Sequence, residues 1–277
     1  MTLPRILSIA GSDSGGGAGI QADIKAITMF GGHAMTAVTA ITAQNTLGVN
    51  QIMPVPADLV LAQIEAVIGD IGVDAVKIGM IGSAETVSAI ANFFAPCPPP
   101  QEGRELSVVF DPVMVATSGA VLADRVTITA FERLIAVATL ITPNAPELAA
   151  LTGLAVDDEA HLERAARALA EQYDIAVLAK GGHLPGETLT DLLIDRDGAV
   201  TRWTSTRIGT RHSHGTGCTL SSAIATGLAW GRPLPEAIET ARSYVRAAML
   251  AAPGLGHGNG PMGHGLGGVH FAPPEAE

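Results

Sequence analysis

Residues His214-Gly215-Thr216-Gly217-Cys218-Thr219 set two glycines around a threonine, directly before the apolar run Leu220-Ser221-Ser222-Ala223-Ile224-Ala225. Glycine reaches backbone angles that other residues resist, so such a loop can turn its N–H groups inward. The first N–H groups of a helix lack partners within it, and the helix dipole adds partial positive charge there. Gly215, Thr216, Gly217 and Cys218 therefore read as an anion hole at a helix N-terminus. An ordinary glycine-rich helix start would look the same, and Cys218 decides between the two. A thiol at a helix N-terminus is expected to have a lowered pKa and to become a reactive base. An anion cradle and a base in one turn suggest group transfer from a phosphate donor.

Asp111, Asn144 and Glu147 carry oxygen groups suited to a hard cation. Magnesium is usually held by one or two carboxylates, waters and substrate phosphates. Asn144 and Glu147, with Pro146 between them, also have the form of a capping box at a helix start. The two readings weigh equally for the pair alone, and one residue can do both, with Glu147 reaching a metal-bound water. Lys180 ends an apolar strand ahead of Gly181-Gly182, where a lysine can set a point charge on a nucleotide phosphate. A strand-end lysine in solvent is the plain alternative. His183, His212 and His214 have no metal-binding spacing, and His257, His264 and His270 fall in a Gly- and Pro-rich tail that reads as flexible.

The elements that must position these groups alternate. Arg5 to Ala10 is a short apolar strand ending at Gly11. Ser12 to Gly19 is a glycine loop, and a helix follows from about Ile20 to Phe30. The loop spacing matches neither Gly-x-Gly-x-x-Gly nor a P-loop. Further strands are predicted at His33–Thr42, Ala75–Gly79, Leu106–Phe110, Leu140–Thr142 and Ile175–Ala179. Helices are predicted at Ala57–Ile68, from the N-cap Ser83 to Phe94, and at Thr127–Ala138, Pro143–Leu151 and Asp158–Tyr173. Leu189–Asp195 and Ala199–Thr204 read as a hairpin turning at Asp197-Gly198. Two helices close the chain, from the His214 motif to Trp230 and from Pro235 to Ala251. Ala95–Glu105 is a proline-rich connection in which Cys97 reads as incidental. Such alternation implies an α/β fold, a mainly parallel sheet with helices on both faces. Ligands of such sheets bind beyond the carboxyl ends of the strands, where Gly11, Gln44, Gly79, Asp111, Asn144 and Lys180 all fall.

Composition agrees. Apolar residues make up 47% and charged residues 16%, below the usual ~25%, as suits a sheet covered on both faces. The net charge of −11, with no basic cluster, argues against nucleic acid and anionic membranes as partners. Two cysteines and no spanning apolar run point to a soluble, cytoplasmic protein without a disulfide framework.

Together these stretches resemble the ribokinase-fold vitamin kinases, and within them the hydroxymethylpyrimidine/phosphomethylpyrimidine kinases of thiamine biosynthesis. The resemblance runs over residues 10–23, 42–46, 77–80, 111–114, 142–147, 180–183 and 214–219. It implies a three-layer α/β/α sandwich and transfer of the ATP γ-phosphoryl group to an aminopyrimidine alcohol, then to its monophosphate. By the same resemblance Gln44 reads the aminopyrimidine edge, with Gly11, Ala18 and Met80 around it. Asp111, Asn144, Glu147 and Lys180 serve ATP and Mg2+, the metal falling to Asp111 and Glu147. Residues 1–264 are expected to form one ribokinase-like kinase domain and 265–277 a flexible tail. A homodimer is expected. Backbone groups of Gly15-Gly16-Gly17 are the expected source of extra positive charge for the monophosphate. A pyridoxal kinase and a non-catalytic nucleotide-binding protein remain the competing readings.

Overall fold

A computed structural model describes residues 3–95 and 106–267. Cys97 and most of the proline-rich connection lie outside the described residues, as do residues 268–277 with His270. The strands are β1 (Arg5–Asp13), β2 (His33–Gln44), β3 (Val49–Pro54), β4 (Ala75–Ile78), β5 (Ser107–Phe110), β6 (Leu140–Ile141), β7 (Ala176–Lys180), β8 (Thr188–Ile194) and β9 (Val200–Thr206). They form one sheet in the order β3-β2-β1-β4-β5-β6-β7-β8-β9. From β2 to β7 all neighbours pair in parallel, while β3, β8 and β9 add antiparallel strands at the two edges.

The predicted strands and helices are present, including the β8–β9 hairpin. Two strands run further than predicted. β1 continues past Ala10 to Asp13, and β2 past Thr42 to Gln44, so both deliver polar residues directly to the carboxyl edge. β3 was not predicted. It is a half-exposed edge strand, VNQIMP, and a strand with no fully buried face lacks the alternation that betrays one.

Helices cover both faces. α2 (Ala57–Asp70), α3 (Ala84–Phe94), α4 (Arg125–Ile135), α5 (Ala145–Thr152) and α6 (Glu159–Tyr173) pack Val60, Ile64, Val87, Phe131 and Leu162 against Leu7, Ile9, Val76 and Ile78. α1 (Gly19–Met29), α7 (Thr216–Ala229) and α8 (Leu234–Leu250) pack Ile27, Leu220, Ile224 and Ile238 against Ile6, Ala75 and Val109. Ser83 caps α3 as predicted, accepting the Thr86 N–H.

The period-two alternation of β4 turns Val76 and Ile78 to one face and Lys77 to the other. Lys77 is fully buried there, with Nζ 2.9 and 3.0 Å from the carboxylate oxygens of Asp23 on α1. Ser8 of β1 and Ser222 of α7 donate to the same carboxylate at 2.6 and 2.8 Å. Burial opposes the Lys77 charge, but Asp23 first, then Cys218 and Asp111, outweigh it and hold the ammonium above its ordinary range.

The stretch after α8 departs from the flexible tail of the sequence reading. Asn259 N–H donates to the Thr46 carbonyl at 2.8 Å, and Gly258 N–H to Thr46 Oγ1 at 3.2 Å. His264 is buried, 2.9 Å from Thr219 Oγ1, and Tyr244 donates its hydroxyl to the His264 carbonyl at 2.8 Å. Glycine and histidine composition suggested looseness; burial of His264 against the start of α7 overrides it.

Removing one member of a buried ion pair strands the other. Lys77→Met should therefore lose about 3–5 kcal/mol of stability, read as a lower urea midpoint at unchanged slope. A loss below about 1 kcal/mol would show that the two serines alone satisfy Asp23.

Candidate active site

The chain order leaves β1 through β2 and β3 on one side, then crosses back to β4 on the other. This is a topological switch point, and crevices at such points hold ligands. Gly11 and Met80 flank it. A Cβ on Gly11 would lie 2.8 Å from Met80 Sδ, so the two expected pocket residues are in contact. Gly19, at φ 55°, opens α1 so close to Gly11 that a Cβ would meet the Gly11 carbonyl at 2.2 Å. Ala18, the N-cap of α1, lies against Gly215, where a Cβ would be 3.1 Å from Ala18 Cα.

The glycine loop does not do what the sequence suggested. Gly15 N–H donates to Asp13 Oδ1 at 2.8 Å; Gly17 and Ala18 N–H donate to Asp13 Oδ2 at 3.0 and 2.8 Å. Gly16 N–H donates to the Asp13 carbonyl at 2.9 Å. These backbone donors are spent on Asp13, so the loop is a nest for an internal carboxylate and not a binding site for a substrate phosphate. Burial opposes the Asp13 charge, but His214 and the loop N–H groups outweigh it and hold the carboxyl below its usual range.

Gln44 comes to the same place from the end of β2. Its Nε2 lies 3.0 Å from His214 Nε2, which in turn lies 2.9 Å from Asp13 Oδ2. His214, which had no assigned part in the sequence reading, is buried at the junction of β2, the glycine loop and α7.

Gly215, at φ 85°, caps α7 in the left-handed region that only glycine enters cheaply. Thr216, Gly217 and Cys218 then form the first helical turn, but the Thr216 N–H donates to the Ser213 carbonyl at 3.3 Å and is not free for an anion. A Cβ on Gly217 would lie 3.2 Å from Asp111 Oδ2 and 3.4 Å from Lys180 Nζ. The helix N-terminus thus faces the Asp111–Lys180 pair, joined at 2.8 Å through Asp111 Oδ1, where Thr142 also donates at 2.9 Å. Lys180 is therefore not a solvent lysine. Burial opposes its charge, but Asp111 and Glu147 outweigh it and raise its pKa.

Asn144 and Glu147 form the capping box at α5: Glu147 N–H donates to Asn144 Oδ1 at 2.9 Å, and Asn144 N–H to Glu147 Oε2 at 2.8 Å. Glu147 is nevertheless electrostatically part of the site. Burial pushes its pKa up to about 7, Lys180 pulls it down and Asp111 pushes it further up. No cluster of three or more His, Cys, Asp or Glu able to hold a metal occurs among the described residues. Asp111 and Glu147 fit the smaller requirement of magnesium, which completes its shell with phosphates and water.

Cys218 corrects the sequence expectation. Its thiol is pushed up to about 11, not lowered. Burial is the main cause; Lys77 pulls it down, Asp23 and Asp111 push it up, and an N–H bond from Gly19 pulls it down again. The helix terminus does not overcome desolvation beside two carboxylates.

The three-layer sandwich, with a helix N-terminus facing a carboxylate–lysine pair at the carboxyl edge of its sheet, is that of the ribokinase-like kinases. Solved structures agree. The phosphomethylpyrimidine kinase of Clostridium difficile 630 superposes with a TM-score of 0.76 at 37% identity, over 88% of this chain and 99% of that one. Staphylococcus aureus pyridoxal kinase, in complex with AMP-PCP and pyridoxal, gives 0.84 at 30% identity, over 96% and 95%. The phosphomethylpyrimidine kinase family matches residues 13–263, and the chain belongs to that family of kinases. It is 50% identical over 262 residues to the hydroxymethylpyrimidine/phosphomethylpyrimidine kinase of Rhizobium meliloti, covering 93% of this chain and 96% of that protein. It also spans about half, 52%, of the thiamine biosynthesis bifunctional protein ThiED of Geobacter sulfurreducens, at 49% identity.

The raised Glu147 has a consequence for stability. Its carboxyl ionises near 4.5 in the unfolded chain and near 7 in the fold. Between those values the folded chain binds the extra proton, so this group's contribution falls as pH rises and levels off above about 7. The shift corresponds to roughly 3 kcal/mol. Glu147→Gln should remove that fall: the stability difference between variant and wild type, from urea unfolding, should move in the variant's favour from pH 5 to pH 7. A difference independent of pH would place the Glu147 carboxyl at its ordinary range.

Proposed function

We propose that this site transfers the γ-phosphoryl group of Mg-ATP to 4-amino-5-hydroxymethyl-2-methylpyrimidine and then to its monophosphate, giving the diphosphate. The observation that carries the reading is the approach of Gly217, in the first turn of α7, to Asp111 and Lys180. It puts backbone N–H donors, a lysine and a carboxylate around one point, where charge on a migrating phosphoryl group would need them.

Bound Mg-ATP would supply the phosphoryl group; Asp111 and Glu147 would hold the cation, and Asn144 fixes Glu147 through the capping box. Lys180 sets a positive charge at the nucleotide phosphates. N–H groups of Gly217 and Cys218 stabilise the transferring oxygens, and Gly215 gives the chain the turn that aims them. Gln44 pairs with the aminopyrimidine edge, its carbonyl accepting from the amino group and its NH2 donating to a ring nitrogen. Gly11, Ala18 and Met80 wall the ring.

Cys218 takes the hydroxyl proton from its minor thiolate form. The free-enzyme profile, kcat/KM, reports the pKa of the base before substrate binds. With that base near 11, kcat/KM should climb about tenfold per pH unit from neutrality to about pH 9. Cys218→Ala should lose the slope. A flat wild-type profile would remove the thiol from proton transfer and leave the backbone cradle alone.

The substrate is tested with Mg-ATP and three acceptors in parallel: the pyrimidine alcohol, its monophosphate and pyridoxal, products identified by mass. The wild type should make the diphosphate. An unpaired buried amide partner costs ~1–3 kcal/mol, so Gln44→Leu should lose about one to two decades with both pyrimidines and less with pyridoxal. Equal losses on pyridoxal would reduce Gln44 to a wall, and absence of diphosphate would remove the second transfer.

A further inference from the structure

His214 Nε2 lies 2.9 Å from Asp13 Oδ2 and 3.0 Å from Gln44 Nε2. An ionised carboxylate only accepts hydrogen bonds, so the His214 Nε2 beside it must carry a hydrogen. Asp13 is such a carboxylate, fixed by the N–H groups of Gly15, Gly17 and Ala18. A ring nitrogen bearing hydrogen has no lone pair to offer, and an amide NH2 only donates. The contact between His214 and the Gln44 NH2 would thus set two donors face to face. The other end of the amide has the converse problem. Thr42 Oγ1 gives its hydrogen to the Ser12 carbonyl at 2.8 Å, yet sits 3.4 Å from Gln44 Oε1, oxygen facing oxygen. A half-turn of the amide resolves both contacts. The carbonyl then shares the single His214 Nε2 hydrogen with Asp13 Oδ2 in a three-centre bond, and the NH2 donates to Thr42 Oγ1. Amide oxygen and nitrogen are told apart by such partners and by little else.

We propose that Asp13 and His214 form a specificity relay that holds the Gln44 amide with its carbonyl toward His214 and its NH2 toward Thr42. One lone pair and one N–H remain for a ligand, and their order is fixed. A heteroaromatic ring is then read in one donor–acceptor sense, and the mirrored order meets donor against donor. His214 is a positioning residue: it acts through Gln44. Its own ring is held on every side. Gly17 packs on it so closely that a Cβ would lie 2.6 Å from His214 Cδ2, Thr117 Oγ1 is 3.3 Å from Nδ1, and the His214 backbone N–H donates to the Gly260 carbonyl. Thr42 is buried and hydrogen-bonded to Ser12, so the far end of the relay is fixed as well. The inference rests on the reading of Gln44 as the residue that meets the ring.

Two measurements test it on the full chain. Long-range 1H–15N spectra of its histidines show which ring nitrogen carries hydrogen. His214 is assigned by its signal's loss in His214→Asn, or in the wild type by cross-relaxation between its Cδ2 proton and Gly17. Hydrogen on Nε2 is expected; a bare Nε2 with hydrogen on Nδ1 alone overturns the relay. Calorimetric titration with the pyrimidine alcohol then compares wild type, Gln44→Leu, His214→Asn and the double variant. Each single change should weaken binding about tenfold, and the double variant should bind within about twofold of Gln44→Leu. Losses that multiply in the double variant overturn the relay and leave Gln44 as the reader. Unchanged binding in Gln44→Leu sinks the reading beneath it.

Discussion

The Asp13 carboxylate is the point on which the carboxyl edge of the sheet depends. It accepts from Gly15, Gly17 and Ala18 and pairs with His214, so one side chain joins the end of β1, the glycine loop, the start of α1 and the lead-in to α7. Without it several backbone donors would be stranded, at ~1–3 kcal/mol for each one buried. A long-range contact, 201 residues apart in sequence, is thereby built into the floor of the pocket. The C-terminal stretch enters the same junction, because Pro261 bridges to His214 and packs beside Gly17.

The second constraint is charge without water. Asp23, Asp111 and Glu147 are buried near Lys77 and Lys180, three carboxyl groups against two ammonium groups. Burial is the largest cause of the shifts there: the Glu147 carboxyl is raised to about 7 and the Cys218 thiol to about 11, with Asp111 adding to both, while both lysines are held charged.

Much of this was legible. Alternating apolar runs gave the strands and covering helices, and polar residues at strand ends marked one edge. The Gly215–Cys218 motif and Lys180 fell where expected because strand ends and helix starts are local features. What was missed is not local. Lys77 sits mid-strand among apolar residues, and nothing in AVKI says that Asp23 waits on α1. β3 lacks a buried face. His264 looks like part of a loose tail until Thr219 and Tyr244 are brought beside it. The pKa of Cys218 follows first from burial and then from two carboxylates that sequence distance hides, so a sound rule about helix termini gave the wrong sign.

The glycine loop shows how two similar stretches of sequence can build one object. Gly15-Gly16-Gly17 and Gly215-Thr216-Gly217 each have the composition of a phosphate-binding turn. In the fold they close on each other. A Cβ at Gly215 would meet the Gly17 carbonyl at 2.0 Å, and one at Gly17 would meet the His214 ring at 2.6 Å. Glycine is required at both positions by mutual approach, not by two ligands. The first loop spends its donors on Asp13 and so fixes His214. His214 leads directly into Gly215, whose left-handed turn starts α7 with Gly217 beside Asp111 and Lys180. The first loop is therefore the support of the second, through Asp13 and His214.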